Sequence, residues 1–344
     1  MIRIKQASIF YRTVQGTVKA VEDVSFEILD GEILGIAGES GCGKSTLMKG
    51  IYGNVESPMY MAHGTIELAH EDFGEKEVVP NTEFHRYWWK HISYIPQASM
   101  SVLNPVMRIK NQFLDSFSAE ELRTKSKQAL VEAMAAYLQE LELPADVLNA
   151  YPHQLSGGMR QRVIVALATF VQPKFVLADE PTTALDVVVQ RGILTMLRNL
   201  QKKLGNTFVM VSHDMGVHYQ ITDRMVIMYA GKVVEVAKTE ALFNNPQHPY
   251  TEMLIRSLPR LGDDLQRTGI SGRPPSLLNP PQGCRFAARC YLADERCTQV
   301  QPPLIEVEPG HWAACIKREP GAQARHLEGN NLDIAGKPNA KFPD

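Results

Sequence analysis

Eight consecutive residues constrain this chain more than any others: Gly38-Glu39-Ser40-Gly41-Cys42-Gly43-Lys44-Ser45. An apolar run, Ile33-Leu34-Gly35-Ile36-Ala37, precedes them, and Thr46-Leu47-Met48-Lys49 follows as the first turn of a predicted helix. Strand, glycine-rich turn and helix together make the context of a phosphate-binding loop. The glycines let the backbone turn so that successive N–H groups point inward at phosphates. The helix N-terminus adds positive potential behind them. In such a loop Lys44 reaches the β- and γ-phosphates and the Ser45 hydroxyl ligates Mg²⁺. Average residue usage produces the pattern in roughly one chain in a hundred of this length, so further motifs have to decide the matter.

The chain has 344 residues, enough for about two domains. Its 44% hydrophobic and 22% charged residues are a globular balance. A net charge of −2 supplies no basic field, and no nucleic-acid partner is expected. Met1-Ile2-Arg3-Ile4-Lys5-Gln6 lacks the apolar core of a signal peptide. The longest apolar stretch, Val163 to Val171, falls short of the ~18 residues that span a bilayer. The expectation is a cytosolic chain without a membrane span, its membrane role arising through partners. Five cysteines in a reducing compartment argue against disulfides. Cys42 lies in the glycine-rich loop, while Cys284, Cys290, Cys297 and Cys315 gather near the C-terminus.

Along the chain, residues 2–11 and 20–36 alternate apolar and polar positions as in a small β-sheet. Tyr11 is the aromatic placed to stack on an adenine ring, against the plainer reading of edge packing. Gly64-Thr65-Ile66-Glu67 reads as a strand and Glu71 to Glu83 as a polar loop. His91-Ile92-Ser93-Tyr94-Ile95-Pro96-Gln97 reads as a buried strand ending in a carboxamide, which suits Mg²⁺ and an attacking water. Residues 120–142 carry helical periodicity, with Leu130, Met134, Leu138 and Leu141 on one face. Ser156-Gly157-Gly158 before another helical pattern is a second helix start able to meet an anion. Two phosphate-facing helix starts in one chain suggest a sandwich, each ATP held between two chains. Lys174 to Ala178 is an apolar strand ending in Asp179 and Glu180. Asp179 suits the Mg²⁺ shell and Glu180 suits deprotonation of water; a merely acidic strand edge is the alternative. Thr183-Ala184-Leu185-Asp186 follows as a loop, the strand Thr207 to Val211 leads to His213, and Arg224 to Val236 reads as a hairpin. The alternation over 31–229 is that of a parallel α/β sheet.

Gly38–Ser45, Gln97, Leu155-Ser156-Gly157-Gly158-Met159, Asp179-Glu180, Asp186 and His213 stand in the order of an ABC-transporter ATPase, which residues 1–240 resemble. The resemblance implies a P-loop NTPase core with an antiparallel β-subdomain and a helical subdomain at about 105–168. It implies that Gly38, Ser40, Gly41, Cys42, Gly43, Lys44, Ser45 and Thr46 bind ATP. It assigns Ser45, Gln97 and Asp179 to Mg²⁺, and Glu180, His213, Gln97 and Lys44 to catalysis. Ser156, Gly157, Gly158 and Asp186 form the signature and D-loop positions that meet nucleotide.

Residues 241–320, from Asn245-Pro246-Gln247-His248-Pro249-Tyr250-Thr251 onward, resemble the C-terminal module of the oligopeptide/dipeptide (and nickel) importer ATPases. Leu103-Asn104-Pro105 and Thr182 to Gln190 resemble that subfamily too, whereas Ala98-Ser99-Met100 stand where it carries an acidic residue and a proline. The resemblance is to the first of two paired ATPases, implying a heterodimer with a second ATPase on two membrane permeases fed by a solute-binding protein. Peptide is the first expectation for cargo, with oligosaccharide or nickel chelate as alternatives. A soluble ABC ATPase of DNA repair or translation and an exporter are the rival classes. The four late cysteines are spaced C-x5-C-x6-C-x17-C in a small loop-rich extension, without the short step of structural zinc sites. Here the resemblance implies a [4Fe-4S] cluster, structural or redox-sensing. His311 is read as a loop histidine rather than a fifth donor, and residues 321–344 as a disordered tail.

Overall fold

A computed structural model of the chain describes residues 1–69, 78–97, 101–117, 122–123, 126–183, 185–258 and 269–318. The opening alternation folds as a hairpin of β1 (Ile2–Thr13) and β2 (Gly16–Ile28), paired from Ile2↔Ile28 to Tyr11↔Val18. Then come β3 (Ile33–Ala37), buried throughout, and α1 (Lys44–Tyr52). The next strands are β4 (Met59–Ala69), β5 (Val78–Pro80) and β6 (Ile92–Ile95). Three helices follow: α2 (Ile109–Leu114), α3 (Lys127–Glu140) and α4 (Gly157–Thr169). The α/β core closes with β7 (Phe175–Asp179), α5 (Val187–Leu204), β8 (Thr207–Val211), α6 (Met215–Ile221) and β9 (Arg224–Tyr229). Beyond it lie β10 (Lys232–Lys238), α7 (Thr239–Asn244), α8 (Pro249–Arg256), α9 (Glu295–Gln299), β11 (Ile305–Glu308) and β12 (His311–Ala313).

Among the described residues the strands form two sheets. One has the order β2-β1-β4-β5 and is antiparallel. The other has the order β11-β12-β10-β9-β3-β8-β7-β6, parallel from β9 to β6. In an open parallel sheet, ligands bind beyond the carboxyl ends of the strands. The loops after β3, β6, β7 and β8 all leave from that edge.

Two apolar cores lie on either side of the parallel sheet. Ile9, Leu47, Met48, Ile66 and Val211 belong to the core that joins the antiparallel sheet to α1. Leu130, Met134, Leu138, Val163 and Ile193 belong to the core of the helical region. The helical face expected over 120–142 is therefore real in α3, and Leu122 and Arg123 ahead of it are helical as well. A third core, with Tyr229, Tyr250 and Phe286, joins the C-terminal residues to β9 and α8.

Two expectations need correction. The polar run to Glu83 is not simply loop: β5 pairs with β4 through Val79↔Leu68, and Asn81–Tyr87 form a 3₁₀ helix. Fully buried Phe84 anchors that helix, so two apolar residues outweigh the polar composition around them. The C-terminal extension also contains more than loops, because β12 pairs with β10 through Glu235↔Ala313 and Val236↔Trp312. The hairpin of β11 and β12 thus prolongs the main sheet. Ala98-Ser99-Met100, Ala184 and the tail lie outside the described residues. Among the described residues no helix is long and apolar enough to cross a membrane.

Candidate nucleotide-binding site

The loop after β3 is shaped by two glycines that no other residue could replace without displacing backbone. Gly38 has φ 151°, and a Cβ there would lie 2.1 Å from the Met228 carbonyl oxygen. Gly43 has φ 105°, and its Cβ would lie 2.1 Å from the Ala20 carbonyl oxygen. The Gly231 N–H donates to the Cys42 carbonyl at 2.8 Å and pins the loop to the β9–β10 turn. Lys44 is buried and spans the loop, its Nζ donating to the carbonyls of Gly38 (2.7 Å) and Glu39 (2.9 Å). Burial pushes the Cys42 thiol pKa up despite the neighbouring Lys44 ammonium, so this cysteine is a packed core thiol. The Tyr11 and Thr46 hydroxyls lie 3.1 Å apart, which sets the Tyr11 ring beside the start of α1.

Two adjacent carboxylates follow β7 and meet opposite surroundings. Asp179 accepts from the Ser45 hydroxyl and from Tyr94 Oη, both at 3.2 Å. Its pKa is raised, burial outweighing those two hydrogen bonds. A buried carboxylate beside a hydroxyl is a hard-oxygen pair suited to Mg²⁺, whose charge would reverse that shift. Glu180 has φ 50°, an uncommon backbone state for a residue with a side chain. Its Oε1 lies 3.0 Å from His213 Nδ1, and its Oε2 accepts from Thr183 Oγ1 (2.8 Å) and Gln97 Nε2 (3.4 Å). Burial pushes the Glu180 pKa up, but those bonds outweigh it and the net shift is downward. The ends of β6, β7 and β8 thus bring Gln97, Glu180 and His213 together, although the sequence separates them widely.

The remaining residues expected to face phosphate lie elsewhere. Ser156 caps α4, accepting from the Met159 N–H at 3.3 Å, with Gly157 and Gly158 in its first turn. A Cβ on Gly158 would lie 2.9 Å from Val189 Cγ1 of α5. Asp186 caps α5, accepting from the Val189 N–H at 2.9 Å. Among the described residues no hydrogen bond ties Ser156–Gly158 or Asp186 to the group around Lys44 and Glu180. The helix α4 packs in the helical core, whereas α1 packs in the opposite one.

Sequence reasoning missed Tyr94 and Thr183, each bonded to one of the paired carboxylates. Tyr94 was signalled only by its alternation within β6, and Thr183 only by lying three residues past Glu180. In the C-terminal segment, Cys284, Cys290, Cys297 and Cys315 line one small cavity with His248 and Phe286. All four are free thiols. Burial raises the pKa of Cys284 and Cys315 and pushes that of Cys290 up to about 11. Among the described residues, no group of three or more His, Cys, Asp or Glu is arranged to hold a metal ion. His311 starts β12 instead of sitting in a loop, and its Nε2 lies 2.7 Å from Glu235 Oε1.

Residues 21–183 match the ABC transporter family, and residues 234–297 match the oligopeptide/dipeptide transporter C-terminal region. Over 323 residues the chain is 37% identical to the dipeptide transport ATP-binding protein DppD of Caldanaerobacter subterraneus subsp. tengcongensis, covering 93% of this chain and 98% of the relative. The chain belongs to the ABC-transporter ATPases of the oligopeptide/dipeptide family. This ABC ATPase is also 36% identical over 329 residues to the oligopeptide transport ATP-binding protein OppD of Bacillus subtilis, covering 94% and 90% of the two chains. Its fold is similar to the ATP-binding cassette MJ0796 in a dimeric post-hydrolysis state bound to ADP and Pi. That likeness has a TM-score of 0.58 and 25% identity, over 70% of this chain and 99% of that one. As a member of this family the ABC ATPase binds ATP with Mg²⁺ and hydrolyses it.

Proposed function

We propose that this ABC ATPase powers peptide import across the cytoplasmic membrane by closing on a second, related ATPase chain around ATP. The observation that carries the reading is the convergence of Gln97, Glu180 and His213 beside Ser45, Asp179 and Lys44. In this reading Lys44 holds the β- and γ-phosphates, and the glycine-rich loop of residues 38–46 cradles them. Ser45, Asp179 and Gln97 hold Mg²⁺, which neutralises phosphate charge. Tyr11 stacks on the adenine. Glu180, kept ionised by its three hydrogen bonds, takes the proton of the attacking water, with His213 and Gln97 positioning the reacting groups.

The partition of the chain supports two-chain sites. Ser156–Gly158 and Asp186 start α4 and α5, helices that pack in the helical core, and Ser156 and Asp186 are exposed, so they serve the nucleotide bound by the facing chain. The partners are a second ATPase, two transmembrane permeases and an extracytoplasmic solute-binding protein, with this chain peripheral on the inner face. The exposed Val102 and Val106 flank Leu103-Asn104-Pro105 and suit contact with a permease. Residues 1–240 form the ATPase domain, and 241–320 the importer-type extension.

Cys284, Cys290, Cys297 and Cys315 hold the [4Fe-4S] cluster implied for that extension. Four thiols around one cavity, Cys297 and Cys315 buried and Cys284 and Cys290 half-buried, support this, as does the Leu292 N–H donating to Cys290 Sγ at 3.4 Å. Such a cluster crosslinks the segment and can exchange electrons. Cys290→Ser is expected to remove the brown iron–sulfur absorption of anaerobically purified protein; a colourless, zinc-containing wild type contradicts it.

The cargo is tested on the complete membrane complex by ATPase activity with a solute-binding protein loaded from peptides or oligosaccharides. Stimulation by the peptide-loaded form is expected. Stimulation by oligosaccharide alone would reassign the cargo, and strong activity unaffected by either would count against import.

A further inference from the structure

A bidentate ion pair joins the C-terminal segment to the glycine-rich loop. The Arg289 side chain is 5% exposed, and its Nη1 and Nη2 donate to Glu39 Oε2 (2.8 Å) and Oε1 (2.9 Å). Its other bonds fix the guanidinium: Nε to the Ser271 carbonyl (2.8 Å), Nη2 to the Ile270 carbonyl (2.9 Å) and Nη1 to the Tyr229 hydroxyl (3.1 Å). Glu39 is held at its backbone too. Its N–H donates to the Tyr250 hydroxyl at 2.8 Å, and its carbonyl accepts from Lys44 Nζ at 2.9 Å.

Glu39 is chemically out of place, a carboxylate in a loop that receives a polyanion. Left unpaired, it would repel the phosphates and compete with them for the Lys44 ammonium beside it. A planar guanidinium matched to both carboxylate oxygens removes that charge and fixes its direction. We propose that Arg289 is a positioning residue of the nucleotide site, acting through Glu39 to keep Lys44 and the loop available to the phosphates. The C-terminal segment thereby acts on ATP affinity. This rests on the reading of residues 38–45 as the phosphate-binding loop.

The test is titration of the full chain with a fluorescent ATP analogue and Mg²⁺, with thermal midpoints recorded alongside. Arg289→Gln is expected to weaken binding about tenfold, the scale of a charge-assisted bidentate contact. Adding Glu39→Gln to that variant is expected to recover most of the affinity, because no unpaired carboxylate remains. In the assembled complex R289Q is expected to raise KM and spare kcat, since uniform binding is what it removes. Binding by R289Q within about twofold of wild type would overturn the inference, as would a loss that E39Q fails to relieve. Should R289Q not fold, the same comparison is made with Arg289→Lys, with and without E39Q. A loss relieved by E39Q upholds the inference there, and no loss or an unrelieved loss overturns it. Lys44→Ala separates the two layers. If it binds the analogue normally, the loop reading itself fails; if it loses binding while R289Q keeps it, only the role of Arg289 fails.

Discussion

At the residue scale, Asp179 and Glu180 are neighbours in sequence whose pKa values move in opposite directions. Burial raises the first, and hydrogen bonds from His213, Thr183 and Gln97 lower the second. Divergent environments of this kind separate a metal ligand from a proton acceptor. A lowered carboxylate pKa keeps Glu180 ionised through neutral pH, its charge being lost only as pH falls through a value below 4.5. His213→Ala removes the strongest of the bonds that lower it. The acid limb of the pH–rate profile is then expected to move toward neutral pH, with kcat down about 10²-fold and KM little changed. A profile that keeps its acid limb would show that His213 does not tune Glu180. The sequence made both carboxylates legible because they end an apolar strand. It left Tyr94 and Thr183 unread, because a tyrosine in a strand and a threonine in a turn bear no local mark of what they face.

At the element scale, the glycine-rich loop divides into positions that tolerate a side chain and positions that do not. At Gly43 a Cβ would run into the Ala20 carbonyl at positive φ, whereas at Gly41, with φ 77°, nothing lies within 4 Å. Gly43→Ala is expected to cost about 1–3 kcal/mol in denaturant midpoints and to abolish nucleotide binding. Gly41→Ala is expected to cost only about 1 kcal/mol, for its φ alone. Equal losses from the two would mean that contact with β2 does not shape the loop. β3, β7 and β8 were legible as unbroken apolar runs flanking polar ends, the pattern of strands buried on both faces. β5 and the β11–β12 hairpin were not. They are short, set in polar or proline-rich sequence, and formed by pairing with β4 and β10, which no local pattern announces.

At the scale of the whole molecule, the two glycine-rich helix starts belong to helices packed in opposite cores, α1 and α4, and the sequence already marked both starts. What sequence could not show was the closure of the C-terminal segment onto the ATPase core, which depends on contacts between distant residues. His218 is buried against Gly35 and Thr222, and burial lowers its pKa to about 4 from an ordinary 6.5. The fold therefore holds it neutral, and the stability present above pH 6.5 is lost as pH falls from there toward 4. Burial does the same to His248. Urea midpoints are expected to drop from pH 7.5 to about pH 5, and a midpoint that rises would contradict the neutral burial of these rings. The most direct measurement of the site as a whole is ATP turnover and retention by the complete complex carrying Glu180→Gln. Retained ATP with hydrolysis reduced about 10³-fold is the expected result. Turnover at the wild-type rate would contradict it and move the catalytic base elsewhere.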